Sequence, residues 1–130
     1  MNKICTDIGQ SQKLIELGID VNTADMMWDD WSLIEEGWKL SIGYYSEIEK
    51  DYGRKCYPAW SLAALLDILP KKYYPVKDHE TNLILGKPKD KWCVLYWDTT
   101  GMQHGEETLA DNPIDACYEM IIKLNEQKLL

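Results

Sequence analysis

The chain has 130 residues, of which 45% are hydrophobic and 28% are charged. This length fits one domain, residues 1–130, that buries a core without a metal or disulfide staple. Six tryptophans and eight tyrosines argue against an intrinsically disordered chain. The net charge is −8 and Arg54 is the only arginine. Direct binding to nucleic acid is therefore disfavoured, because phosphate recognition needs a positive surface.

The hydropathy pattern and the cysteines indicate a cytoplasmic protein that does not contact membranes. No apolar run approaches the ~18 to 20 residues that a membrane span needs, and the N-terminus has no signal-peptide stretch. Four cysteines are widely spaced and form no Cys-x-x-Cys pair: Cys5, Cys56, Cys93 and Cys117. In a reducing compartment they are expected to be buried thiols, with no metal or cofactor bound.

The first predicted helix begins after Asp7, which can cap it with Gln10 as the capping-box partner. Gly18 suits the left-handed residue that ends such a helix. A turn is expected over residues 20–23, followed by an extended segment over Met26–Trp28 and a loop over residues 29–32.

Two further elements are predicted in the middle of the chain. Trp38–Ile42 alternates apolar and polar residues, which favours a strand. Gly43–Tyr57 fits either a solvent-facing loop or a short helix. A second helix over Leu62–Leu69, capped by Ser61 and ended by Pro70, is apolar nearly all round, which indicates a buried, central position.

The strongest β-hairpin signal joins residues 82–86 to residues 92–97 through a turn-rich connection. In the second strand, Trp92, Val94 and Tyr96 share one face, and Cys93, Leu95 and Trp97 share the other. Both faces are apolar. One must therefore meet the helices, and the other is covered within the domain or offered to a partner. Another short strand is expected near residues 105–108.

The last helix has the clearest boundaries. Asn112 is placed as its N-cap, Pro113 takes the first helical position, and Asp115 lies in the first turn, where the helix dipole favours an anion. Its core-facing stripe consists of Ile114, Ala116, Cys117, Met120, Ile121 and Leu124. The predicted fold class is α+β: a small, mainly antiparallel sheet packed with about three helices in a single domain.

No motif assigns a catalytic, cofactor-binding or metal-binding residue. The chain has no Gly-x-Gly-x-x-Gly sequence and no phosphate loop. Its two histidines, His79 and His104, have no metal-ligand spacing to each other or to a cysteine.

The leading interpretation is a non-enzymatic accessory protein that acts through protein–protein contact, because tryptophan and tyrosine are favoured interface anchors. Self-association into a homodimer through the hairpin is one version. The candidate partner-binding residues are Trp28, Trp31, Trp60, Trp92, Tyr96 and Trp97. Trp60 can also simply pack over the start of the second helix.

Two alternatives stay open. The first is an acidic mimic that occupies the nucleic-acid site of a host or phage enzyme, which requires the acids of residues 20–36 and 92–122 to line one face. The second is a small cytosolic hydrolase or transferase that uses His79 or His104 with a thiol or carboxylate.

Three segments also carry a resemblance: Asp20–Met26, Pro58–Pro70 and Asn112–Met120. In this order they resemble a family of small uncharacterised proteins carried by gut-type anaerobic bacteria, their phages and mobile elements. The resemblance implies an accessory protein associated with a phage or mobile element. It supplies no catalytic residues to transfer.

Overall fold

The structure, a computed structural model, describes residues 3–30, 38–42, 56–76, 79–98 and 104–130. In this part of the chain there are three α-helices: α1 (Ile8–Glu16), α2 (Leu62–Ile68) and α3 (Pro113–Glu126). The strands are β1 (Met26–Asp30), β2 (Trp38–Ile42), β3 (Cys56–Ala59), β4 (Lys72–Val76), β5 (His79–Gly86), β6 (Trp92–Trp97) and β7 (His104–Ala110).

The α+β class with three helices is confirmed, but the described strands form two antiparallel sheets where one was expected. The first sheet has the order β2-β1-β3 and the second has the order β4-β5-β6-β7. The chain divides into two compact units, residues 4–64 and residues 65–130 with 1–3. We call them the N-terminal and C-terminal units. The single domain inferred from length stays a prediction.

In the N-terminal unit, the strand over Trp38–Ile42 is confirmed as β2, and it pairs with β1 along its whole length. The predicted loop at Asp29 and Asp30 is wrong, because both residues continue β1. Asp29 is paired on both sides, opposite Lys39 on β2 and Cys56 on β3. The rest of that loop, and the undecided segment up to residue 55, lie outside the described residues.

Helix α1 has the ends that the sequence predicts. Asp7 and Gln10 form a complete capping box, and Gly18 has a positive φ of 88°. The amide of Ile19 donates to the carbonyl of Leu14 at 3.1 Å, which is the six-to-one bond of a Schellman ending.

Helix α2 is less buried than its composition predicts. Ala64 and Leu65 are buried, but Ala63 and Asp67 are exposed. Its start is capped by Ser61, whose Oγ accepts from the amide of Ala64 at 3.3 Å. The helix therefore buries one stripe, as an amphipathic helix does, although nearly all its residues are apolar.

In the C-terminal unit, the predicted hairpin is confirmed as β5 and β6, with Ile84 opposite Leu95 in the register. Strand β4 was not predicted, because Pro75 interrupts its sequence and proline cannot donate to a ladder. The structure places β4 at the edge of its sheet, where a proline is tolerated.

Helix α3 packs on β6 and β7 through the predicted stripe. All six members are at most 1% exposed: Ile114, Ala116, Cys117, Met120, Ile121 and Leu124. On the sheet side, Val94 and Tyr96 are fully buried, and Thr108 donates its hydroxyl to the carbonyl of Ala116 at 2.7 Å. This layer is the main core of the C-terminal unit.

The buried thiol of Cys117 makes stability depend on pH in alkaline solution. Burial raises the pKa of Cys117 from 9.0 to about 12. Above pH 9 the unfolded chain releases this proton while the folded chain retains it, so the thiol's contribution is present below pH 9 and is lost as the pH rises toward 12.

We expect Cys117 to contribute a fall of up to about 1.4 kcal/mol per pH unit in that window. Urea unfolding at pH 8, 9, 10 and 11 should show a shallower decline for Cys117→Ala than for the parent. A residual slope is expected in the variant, because burial also raises the pKa of Tyr96. Equal slopes in parent and variant would contradict the prediction.

Candidate partner-binding face

The two faces of the four-stranded sheet have different environments. Helix α3 covers the face that carries Val94 and Thr108. Paired residues point to the same side of a sheet and successive residues to opposite sides. The register therefore places the following residues on the opposite side, which we call the open face: Ile84, Leu95, Trp97, Glu107 and Leu109.

The open face exposes large apolar side chains to solvent. Ile84 is 41% exposed, Trp97 is 38% exposed and Leu109 is 53% exposed, while Leu95 is half-buried. A hollow of about 380 Å³ lies among them and is lined by Ile84, Leu95, Trp97, Gly105 and Glu107. Its surface is mainly apolar, and Glu107 is the one ionisable side chain among the described residues that line it.

Strand β7, which carries Gly105 and Glu107 of the hollow, contacts strand β4 through the side chain of Tyr73. The hydroxyl of Tyr73 accepts a hydrogen bond from the amide of Glu106 at 2.7 Å. A Cβ added to Gly105 would lie 2.2 Å from the same hydroxyl oxygen. Only glycine lets β7 approach the tyrosine this closely. The buried Tyr73 ring also stands edge-on to Tyr96, with centroids 4.7 Å apart.

The neighbouring carboxylates Glu106 and Glu107 have opposite surroundings. Glu106 lies 3.7 Å from the Lys123 ammonium and accepts from Nε2 of Gln127 at 2.6 Å. Glu107 is exposed, and its carboxylate accepts from the thiol of Cys93 at 3.5 Å. Among the residues described, no lysine, arginine or histidine forms an ion pair with Glu107.

The thiol beside Glu107 stays protonated at neutral pH. Burial raises the pKa of Cys93, and the hydrogen bond and negative charge of Glu107 raise it further. A thiol with a raised pKa is a poor nucleophile, because the thiolate is the reactive form. Cys93 therefore acts here as a hydrogen-bond donor to the carboxylate.

Two of the six candidate partner-binding side chains are corrected by their burial. Trp60 and Tyr96 are 0% exposed, so neither presents surface to a partner. The indole N–H of Trp60 donates to Oγ1 of Thr23 at 2.9 Å, and the hydroxyl of Tyr96 donates to the carbonyl of Pro70 at 2.6 Å. Their polar groups satisfy internal hydrogen bonds, which is how buried rings of this type are accommodated.

Three of the other four candidates are described, and each has its own surroundings. Trp28 is half-buried in the N-terminal unit, where its indole N–H donates to the carbonyl of Thr6 at 2.9 Å. Trp92 lies on the helix-covered face of the hairpin, with the Lys87 ammonium 5.8 Å from its ring centroid. Trp31 lies outside the described residues. Only Trp97, among the candidates described, belongs to the open face.

The structure describes only the backbone of the two histidines of the enzymatic alternative. His79 begins β5 and His104 begins β7, but the side chains of both lie outside the described part of the structure. All four cysteines are buried and none forms a disulfide, which confirms the burial predicted for them. In the described ranges, no group of three or more metal-ligating side chains is close enough to hold an ion.

Several acids of the predicted acidic stretches have structural roles. Asp29 and Asp98 are each 3% exposed. The Asp25 carboxylate accepts from both the amide and the hydroxyl of Ser61 at the start of α2. Asp115 pairs with the Lys3 ammonium at 2.7 Å. These four carboxylates are engaged within the fold.

Sequence reasoning missed the non-aromatic members of the open face as partner-binding candidates. Ile84, Leu109 and Glu107 were not selected, because the selection followed aromatic residue type. The signal that could have found them is the apolar pattern on both faces of the hairpin, combined with the prediction that α3 covers one face.

Comparison with known proteins assigns no relative. No family model, no curated protein and no solved structure matches the chain. No helix in the described ranges combines the length and apolar character needed to cross a lipid bilayer.

Proposed function

We propose that the protein is a non-enzymatic accessory protein that binds a partner protein through the open face. The observation that carries this proposal is a set of exposed apolar side chains around a hollow, on the side of the sheet opposite α3. An association with phages or mobile elements rests on the sequence resemblance alone.

The composition of the open face supports binding to a protein. Interfaces concentrate binding energy in a few buried aromatic or aliphatic anchors surrounded by less important contacts. Trp97 supplies the aromatic anchor, and Ile84 and Leu109 supply apolar surface beside it. A contiguous apolar patch on a soluble protein commonly marks such a site.

The acidic-mimic alternative is less well supported. A mimic of the phosphate backbone must present its carboxylates to the partner, but Asp29 and Asp98 are buried. Asp25 and Asp115 are occupied by Ser61 and Lys3. Glu107 is an exposed carboxylate, but it lies beside apolar side chains.

Comparative affinity capture tests the proposed function. The tagged parent chain, the double variant Trp97→Ser/Leu109→Ser and the control Ile15→Ser are each used as bait in extract from the native host. Ile15 is a suitable control because it is similarly exposed, at 39%, and lies on α1 in the other unit.

We expect at least one protein to be enriched by the parent and the control and to be reduced at least tenfold with the double variant. Its direct binding should then be reproduced with the purified protein. Identical recovery with all three baits would overturn the proposal. Light scattering of the parent at high concentration tests the homodimer version separately, which predicts twice the mass of one chain.

A further inference from the structure

We propose that the hollow of the open face binds an arginine side chain of the partner, with the guanidinium against Glu107 and Trp97. This inference rests on the proposed function and specifies the chemistry of the partner. It follows from three properties of the hollow: the charge of Glu107, which has no ion-pair partner among the described residues, the aromatic ring of Trp97, and the volume.

A partner that covers Glu107 would have to supply a cation, because the described residues supply none. Glu106 is neutralised on the α3 side of β7 by Lys123, whereas Glu107 has no ion-pair partner among the described residues. The Lys123 ammonium donates to the backbone carbonyl oxygen of Glu107 at 2.9 Å, and not to its carboxylate. On the same sheet the Lys72 ammonium is held by Glu80 at 2.9 Å. An apolar partner that covered Glu107 without a cation would bury an uncompensated charge, which is costly.

The side chains that line the hollow suit the guanidinium of arginine better than the ammonium of lysine. The guanidinium group is planar, stacks on aromatic rings and can donate two parallel hydrogen bonds to a carboxylate. Trp97 and Glu107 both line the hollow, and Ile84 and Leu95 provide apolar surface for the aliphatic part of the side chain. Tryptophan is also the most favourable ring for a cation–π contact.

The size of the hollow fits a side chain with its local backbone. Its volume of about 380 Å³ lies at the lower end of the roughly 300–1,000 Å³ typical of ligand pockets. A second copy of this chain is a poor occupant. In a two-fold dimer of open faces, each Glu107 would be covered by a face whose named residues include no cation, in chains that each carry a net charge of −8.

Binding of four short peptides tests the inference. Acetyl-Leu-Arg-Leu-amide and its lysine, glutamine and glutamate analogues are titrated into the ¹⁵N-labelled chain, and the indole N–H signal of Trp97 is followed by NMR. We expect the arginine peptide to bind at least fivefold more tightly than the glutamine peptide, with lysine between them. Added salt should weaken the arginine peptide more than the glutamine peptide.

Charge-matched variants separate a specific contact from attraction to an acidic protein. Glu107→Gln should weaken the arginine peptide about three- to fivefold and leave the glutamine peptide unchanged. Glu119→Gln removes the same charge from an exposed position on α3 and should change binding less than twofold. Glu107→Lys should reverse the preference, so that the glutamate peptide binds more tightly than the arginine peptide.

The outcomes distinguish this inference from the proposed function. If arginine and glutamine peptides shift the Trp97 signal with equal affinity, the arginine inference is overturned while the open face remains a docking surface. If Glu107→Gln and Glu119→Gln weaken the arginine peptide equally, the inference is also overturned, because only net charge matters. Whether the open face binds a partner protein at all is decided by the capture experiment and not by the peptide titrations.

Discussion

Gly105→Ala is expected to lower the free energy of unfolding by roughly 2 to 4 kcal/mol, through overpacking and a disturbed hydrogen bond. The added Cβ would lie 2.2 Å from the hydroxyl oxygen of Tyr73 and 2.6 Å from the ring carbon that bears it. The tyrosine cannot withdraw easily, because its ring contacts Tyr96 and its hydroxyl accepts from the amide of Glu106. Urea unfolding followed by circular dichroism measures the loss.

Gly86→Ala is the matched control for this substitution. Gly86 also lies in a strand of the four-stranded sheet, but a Cβ there meets no atom within 4 Å. Alanine costs less conformational entropy than glycine in a strand, so this variant should match the parent or exceed it by up to about 1 kcal/mol. Equal stability of Gly105→Ala and Gly86→Ala would show that β7 does not approach Tyr73 this closely.

Trp60→Ala is expected to cost about 3 to 5 kcal/mol, the range for removing a fully buried large side chain. Trp60 is 0% exposed, and its indole N–H donates to Thr23. The backbone of Trp60 makes two hydrogen bonds with Thr6. The Trp60 amide donates to Oγ1 of Thr6 at 3.1 Å, and the Thr6 amide donates to the Trp60 carbonyl at 2.9 Å. The substitution should therefore destabilise the N-terminal unit.

The comparison variant is Trp97→Ala. Its side chain is 38% exposed on the open face, so less apolar area is lost and the cost in stability should be below about 1.5 kcal/mol. Trp97→Ala should reduce the capture of a partner more than Trp60→Ala does, since Trp97 belongs to the proposed interface. A larger loss of stability for Trp97→Ala than for Trp60→Ala would contradict the burial assigned to both residues.

Local signals in the sequence were sufficient for the helix ends. Asp7, Gly18 and Asn112 act within a few residues of where they stand, because caps and left-handed terminators bond to the nearest turn of backbone. The hairpin strands were also predicted, because alternation and a turn-rich connection are local patterns. Strand β4 was missed because Pro75 opposes a strand unless that strand lies at an edge.

The local sequence pattern did not predict which of the partner-binding candidates are exposed. Trp60 and Trp97 are the same residue type in apolar surroundings, yet one is fully buried and the other lines an open hollow. Trp97 is exposed because α3 covers the opposite face of its sheet, whereas Trp60 is enclosed in the N-terminal unit, where it bonds to Thr6 and Thr23. Neither property is visible in the spacing of residues along the chain.

The sequence by itself determined the α+β class, the capped helices, the hairpin and its two apolar faces, because each depends on contacts between residues near in the chain. Only the tertiary structure decided that the strands form two sheets and that Trp60 and Tyr96 are interior. It alone also placed Glu107 beside a hollow without an ion-pair partner in the described part of the chain. Those properties arise from contacts between distant residues, such as Tyr73 with Glu106, whose formation depends on the packing of whole elements.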